Sequence, residues 1–178
     1  ILSGTTWQPA ASLCAGLALC RSVCRIRGED RPAPLLRQLI FGSYNNQIEH
    51  PETAFDWVCG DRQALAAYLA DPLCGFAETA GLDRDMLHGI QMNQSRKNLE
   101  KMPKKLPVLF AAGMQDPVGA YGKGVLQAMQ AFQKAGMQKV EIQLYAKSRH
   151  EILNDTQRQQ VYRDMQKWLL ANLSGARR

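Results

Sequence analysis

Two residues in this chain have the types and surroundings suited to moving a proton. His150 stands in SRHEILND, residues 148–155, just past an apolar run, and Asp116 stands in GMQDPVG, residues 113–119, just past another. A carboxylate that accepts a hydrogen bond from one imidazole nitrogen fixes the tautomer, which frees the other nitrogen to take a proton from a nucleophile. In serine proteases, losing that orienting acid costs on the order of 10⁴ in rate. By residue type alone the pair stays open between this role and two plainer ones, an aspartate capping a turn and a hydrogen-bonded structural histidine. Ser148 and Glu151 flank the histidine. Glu151 is poorly placed as the orienting acid, because adjacent residues rarely aim their side chains so that one steers the other's ring. Asp155 reads as the N-cap of a following helix.

The elements that would hold this pair are legible from periodicity. LPVLFAAG, residues 106–113, is a continuous apolar run of strand length, the pattern of a strand covered on both faces in a parallel sheet. KVEIQLYA, residues 139–146, alternates Val140, Ile142 and Leu144 with polar residues, a strand signature. Between them Val125, Met129 and Phe132 share one helical face, with Gly136 as the expected C-cap. Val161, Met165, Trp168, Leu169 and Leu173 mark a last helix over 157–173. Strand, helix, strand, helix predicts an α/β fold with a parallel sheet. In such sheets reactive residues gather in loops at the C-terminal strand ends, where Asp116 and His150 both fall.

The first 100 residues have another rhythm. ILSGTTW reads as the end of a buried strand and its loop, so the beginning of the fold is expected to lie before Ile1. Helical spacing follows at Leu13, Leu17, Cys20 and Cys24, broken by RGEDRPAP; a short helix or turn is expected at 35–41, a helix at 62–69, and another from Arg84 towards Arg96. The resulting division is a strand end and loop at 1–10, a helical cap or lid at 11–100, and the C-terminal half of an α/β core at 101–178.

Composition narrows the function classes. With 178 residues, 46% hydrophobic and 21% charged, the chain is of globular type. It has no apolar run long enough to span a bilayer and no signal-peptide pattern at the start, so stable membrane insertion is not expected and a cytoplasmic location is. Five cysteines, with no C-x-x-C pair, fit buried thiols; no metal site and no cofactor is expected. The net charge of +6 raises the question of nucleic acid, but Arg96, Lys97, Lys101, Lys104, Lys105, Arg177 and Arg178 have no interleaved aromatics. A solvated loop and tail, with no nucleic-acid partner, is the expectation.

LPVLFAAGMQDPVGAYGKGV followed by VEIQLYAKSRHEILND resembles the end of an α/β-hydrolase of the monoacylglycerol lipase or lysophospholipase-like serine hydrolase family, and FGSYNNQIEHPETAFDWVCGDRQALAAYLADPLCGF resembles that family's helical cap in a bacterial branch. The resemblance implies that Asp116 is the triad acid and His150 the base. It also implies a nucleophilic serine in a G-x-S-x-G elbow, which this chain lacks: Ser3-Gly4, Gly42-Ser43 and Ser174-Gly175 do not fit. The serine precedes the acid in chain order, so it is expected upstream of Ile1, in a missing N-terminal half that would be this chain's partner, and the isolated chain is expected to be inactive. The implied activity is hydrolysis of an acyl ester or lipid-like substrate through an acyl-enzyme; a non-catalytic interaction module of the same shape is the alternative. Val118 and Ile152, each two residues past a member of the pair, are expected to touch substrate. Phe55, Trp57 and Phe76 would line an apolar pocket or equally well pack the cap onto the body. Exposed apolar edges also suggest a possible homo-oligomer.

Overall fold

The computed structural model describes residues 1–173; Ser174-Gly175 and the basic tail Arg177 and Arg178 lie outside the described residues. A three-stranded parallel sheet has the order β1 (Leu2–Ser3), β2 (Val108–Gly113), β3 (Val140–Tyr145). Leu2 pairs with Phe110, and β2 and β3 run in register from Val108 opposite Val140 to Gly113 opposite Tyr145.

Side-chain alternation along β2 explains why all six of its residues are buried. Val108, Phe110 and Ala112 face one way, onto Val125 and Ala128 of the helix at Lys123–Lys134, where Phe132 meets Phe110 edge-on at 5.0 Å. Ala111 faces the other way, into a cluster with Tyr145, Ile152 and Val161 of the helix at Arg158–Leu173. The β2 strand is thus sandwiched between helices, which its unbroken apolar run requires.

Between β1 and β2 the chain is helical: α1 (Ala10–Arg27), α2 (Pro34–Phe41), α3 (Arg62–Ala70), α4 (Ala80–Gln94) and α5 (Arg96–Leu99), so that the two helices above become α6 and α7. Cys20, Ala33, Leu36 and Ala80 bury a second core, with Val23, Cys24 and Leu87 packed against it. The helix expected from Arg84 begins four residues earlier. Thr79 caps it by accepting from the Leu82 N–H, a start signal in polar surroundings that apolar spacing alone passes over. Asp61 caps α3 through the N–H groups of Gln63 and Ala64. In the basic stretch, Arg96 pairs with Glu100, and the Lys104 ammonium donates to the carbonyls of Glu100 and Ala135, fastening α5 to the end of α6. Among the described residues no helix is long and apolar enough to cross a membrane.

Candidate active site

The two loops that leave β2 and β3 lie side by side and are stitched by main-chain bonds from Met114 N–H to Tyr145 O (2.9 Å) and from Gln115 N–H to Ser148 O (3.0 Å). This parallel register carries Asp116 and His150, 34 residues apart in sequence, to one point. Asp116 is fully buried. Its Oδ2 accepts from His150 Nδ1 at 3.0 Å, and its Oδ1 accepts from the Val118 N–H at 2.8 Å. The chain then turns through main-chain bonds from Ala120 N–H to Pro117 O (3.0 Å) and Tyr121 N–H to Asp116 O (2.9 Å), with Ala120 and Tyr121 in left-handed backbone angles (φ 49° and 56°) that cost a non-glycine residue on the order of 1 kcal/mol or more. The chain accepts that strain where it turns the acid inward.

The histidine side chain is 29% exposed. With its Nδ1–H held by the carboxylate, the imidazole presents Nε2 as an acceptor. Gly4 stands against the ring: a Cβ at this position would lie 2.9 Å from His150 Cε1, and φ is +62° there. A glycine at the end of β1 therefore satisfies both the close approach and the left-handed turn. On the other side Trp57 packs on the imidazole with ring centroids 5.4 Å apart, stacks on Phe41 and meets Tyr44 edge-on at 4.9 Å. Burial, and then the nearby Asp116 charge, push the Tyr44 and Tyr121 phenols up, keeping both protonated beside the acid.

Glu151, the neighbouring carboxylate, turns away and accepts from Asn154 Nδ2 at 2.7 Å. Ser148 is fully buried, its hydroxyl towards Gln157. Val118, Phe55 and Trp57 come together in one aromatic cluster with Phe41, Tyr44 and Tyr68. Phe55 and Trp57 also wall a cleft of about 540 Å³ that holds the Arg37–Glu78 ion pair (2.7 Å), and the Trp57 ring that lines it also packs on the histidine. Ile152 is placed elsewhere. It is 0% exposed in the core under α7, because its N–H turns back to the His150 carbonyl in a tight turn that sends its side chain inward. The expectation of substrate contact at Ile152 rested on its sharing the loop of the base; its side chain instead lies in the core. Phe76 is half exposed; its carbonyl, rather than its ring, is engaged, by Arg37.

Tyr44 and Gly4 escaped the sequence reading. Tyr44 sits in an irregular stretch with no period to reveal its direction, and Gly4 in a loop whose neighbour is nearly 150 residues away. Among the described residues no three His, Cys, Asp or Glu side chains gather to hold a metal ion.

A parallel sheet between helices, with an acid and a histidine joined across adjacent strand ends, is part of the α/β-hydrolase fold. Residues 4–157 match the family described as serine aminopeptidase, S33, and the chain belongs to that family. It is similar to a highly thermostable carboxyl esterase from Bacillus coagulans, solved in complex with glycerol, at 25% identity with a TM-score of 0.79, over 98% of this chain and 55% of that one. A lipase in its open form is 22% identical with a TM-score of 0.83, over 99% and 57% of the two chains. The monoacylglycerol lipase of Paleococcus ferrophilus is 17% identical with a TM-score of 0.63, over 95% and 57%. The chain therefore spans little more than half the length of these structures. A comparison with curated proteins finds no match.

Proposed function

We propose that the protein to which this chain belongs is a serine ester hydrolase acting on an acyl-ester or lipid-like substrate, with Asp116 as the orienting acid, His150 as the base, and a nucleophilic serine supplied by residues upstream of Ile1. The observation that carries this is the 3.0 Å bond between buried Asp116 and His150 Nδ1 at adjacent strand ends, which leaves Nε2 turned away from the acid. The esterase and lipase names of the structural neighbours support an ester substrate, and the partial coverage of those neighbours supports a nucleophile outside this chain.

In this reaction Nε2 takes the serine proton as the oxygen attacks the ester carbonyl. The resulting imidazolium, stabilised by Asp116, returns the proton to the departing alcohol, and water then releases the acid from the acyl-enzyme by the same two transfers. Residues 11–100 act as the cap, Val118, Phe55 and Trp57 form the substrate-side wall, and this chain alone is inactive.

Fluorophosphonate labelling of the intact protein, with the modified peptide located by mass spectrometry and His150→Ala run alongside, tests the reading. The expected label sits on a serine upstream of Ile1 and is lost in the variant. A folded intact protein that takes no label would overturn the assignment.

A further inference from the structure

The loop that carries the histidine is held partly from a distant stretch of chain. Residues 56–61 run along it and hold the positions at and beside the base. His150 N–H donates to Trp57 O at 3.4 Å and Glu151 N–H to Val58 O at 2.9 Å, so the main chain of the base and of the next residue is fixed from the cap segment. Arg149 reaches back, its guanidinium donating to the carbonyls of Asp56 (2.6 Å) and Cys59 (3.2 Å). Arg158 and Asp61 form an ion pair at the far end.

Asp155 joins the two halves of this strap. It is 0% exposed, and its carboxylate accepts three main-chain N–H groups: Gly60 at 3.1 Å and Thr156 at 2.6 Å on Oδ1, and Arg149 at 2.6 Å on Oδ2. The Thr156 bond is a local capping contact; the other two are not local. One fixes the residue immediately before the base, and the other fixes a glycine 95 residues away. Gly60 admits this because it lacks a side chain: a Cβ there would lie 2.9 Å from Asp155 Oδ1.

Resting on the function proposed above, we infer that Asp155 is a positioning residue for His150. It registers the base's loop against residues 56–60, so that the cap segment and the base form one unit and His150 aligns on Asp116 only when that unit is closed. An amide at 155 has a single acceptor oxygen and must set its NH₂ against a main-chain N–H, a donor that cannot move its proton elsewhere. One tie of the strap is then broken whichever way the amide turns.

The test uses the intact protein, with Asp155→Asn, Gly60→Ala and the double variant. Asp155→Asn lowers kcat by on the order of 10²-fold, the effect of misplacing a catalytic group by about 1 Å, with KM little changed. Gly60→Ala, which presses on Asp155 Oδ1 without altering its charge, gives a smaller loss in the same sense, and adding it to Asp155→Asn costs nothing further. Nitrogen NMR of labelled histidine provides a readout independent of turnover: His150 is Nδ1-protonated in the wild type and a tautomer mixture in Asp155→Asn. If Asp155→Asn retains wild-type kcat and tautomer, or if the two substitutions act additively, the inference is wrong. A wild-type protein that takes no fluorophosphonate label, with Asp155→Asn still giving the tautomer mixture, would overturn the function and leave the positioning role standing.

Discussion

Replacing Asp116 with asparagine changes one atom and sets two hydrogen bonds in competition. The carboxylate serves two donors on separate oxygens, the Val118 N–H and the His150 Nδ1–H. Asparagine has one acceptor. If its oxygen faces His150, its NH₂ meets the Val118 N–H, a main-chain donor with no alternative, inside a turn that already holds two left-handed residues. If its oxygen keeps Val118, its NH₂ faces Nδ1, and the imidazole answers by moving its proton to Nε2, which an imidazole does at little cost. The second arrangement wins, and Nε2 becomes a donor that cannot accept a proton from the serine proposed above. In the intact protein kcat should fall by about 10⁴, or roughly 5.4 kcal/mol of transition-state stabilisation. Losing the charge-assisted bond removes about 1.5–3 kcal/mol of folding stability, less than the roughly 5–15 kcal/mol typical of a domain. Steady-state hydrolysis of a chromogenic short-chain ester, with thermal unfolding recorded on the same samples, separates the two effects. A folded Asp116→Asn enzyme with more than a small fraction of wild-type kcat would show that the acid is elsewhere.

Two further outcomes concern pH. Burial pushes the Asp56 carboxyl up, but the Thr53 hydrogen bonds and the Arg62 and Arg149 charges outweigh it and hold the group below the usual carboxylate range. Its contribution to stability is therefore present above the unfolded-state value and lost as pH falls through the lower folded one; thermal unfolding followed from neutral to acid pH should show a decline that Asp56→Asn flattens. Asp83 works in the opposite sense. Burial, then the Glu78 charge, raise its carboxyl, and its Oδ2 has no hydrogen-bond partner among the described residues, so stability is lost as pH rises past the unfolded-state value. Asp83→Asn should therefore raise the melting temperature at neutral pH and lose that advantage in acid, and an unchanged neutral-pH melting temperature would contradict the assignment.

The parts of this molecule governed by a period were legible in the amino-acid sequence. The apolar run 106–113 could be satisfied only by a strand covered on both sides, and the β2 strand lies between α6 and α7. The alternation of Val140, Ile142 and Leu144 put one face of β3 on the α6 core. Asp116 and His150 were legible because parallel strands in register deliver their C-terminal loops to the same edge. What was hidden depends on turns and distant contacts. Ile152 points into the core because a tight turn follows His150. Asp155 reads as a local cap, yet two of its three bonds serve the strap, one of them to Gly60 far along the chain. No local pattern announces a partner at that range.

The separations along the chain also bias the order in which the site comes together during folding. The contact between Asp116 and His150 closes a loop of 34 residues, whereas that between Arg149 and Asp56 closes one of 93. Chain-closure entropy makes the longer loop costlier by about 0.9 kcal/mol, roughly a four- to five-fold bias towards early meeting of acid and base. The carboxylate and imidazole can thus find each other while residues 56–61 are still unattached, and under the positioning role inferred for Asp155 the histidine acquires its final orientation when that distant segment arrives. For the base proposed at His150, held as inferred by Asp155, competence is in this sense a late folding event, set by a stretch of chain that contributes no proton-transferring group of its own.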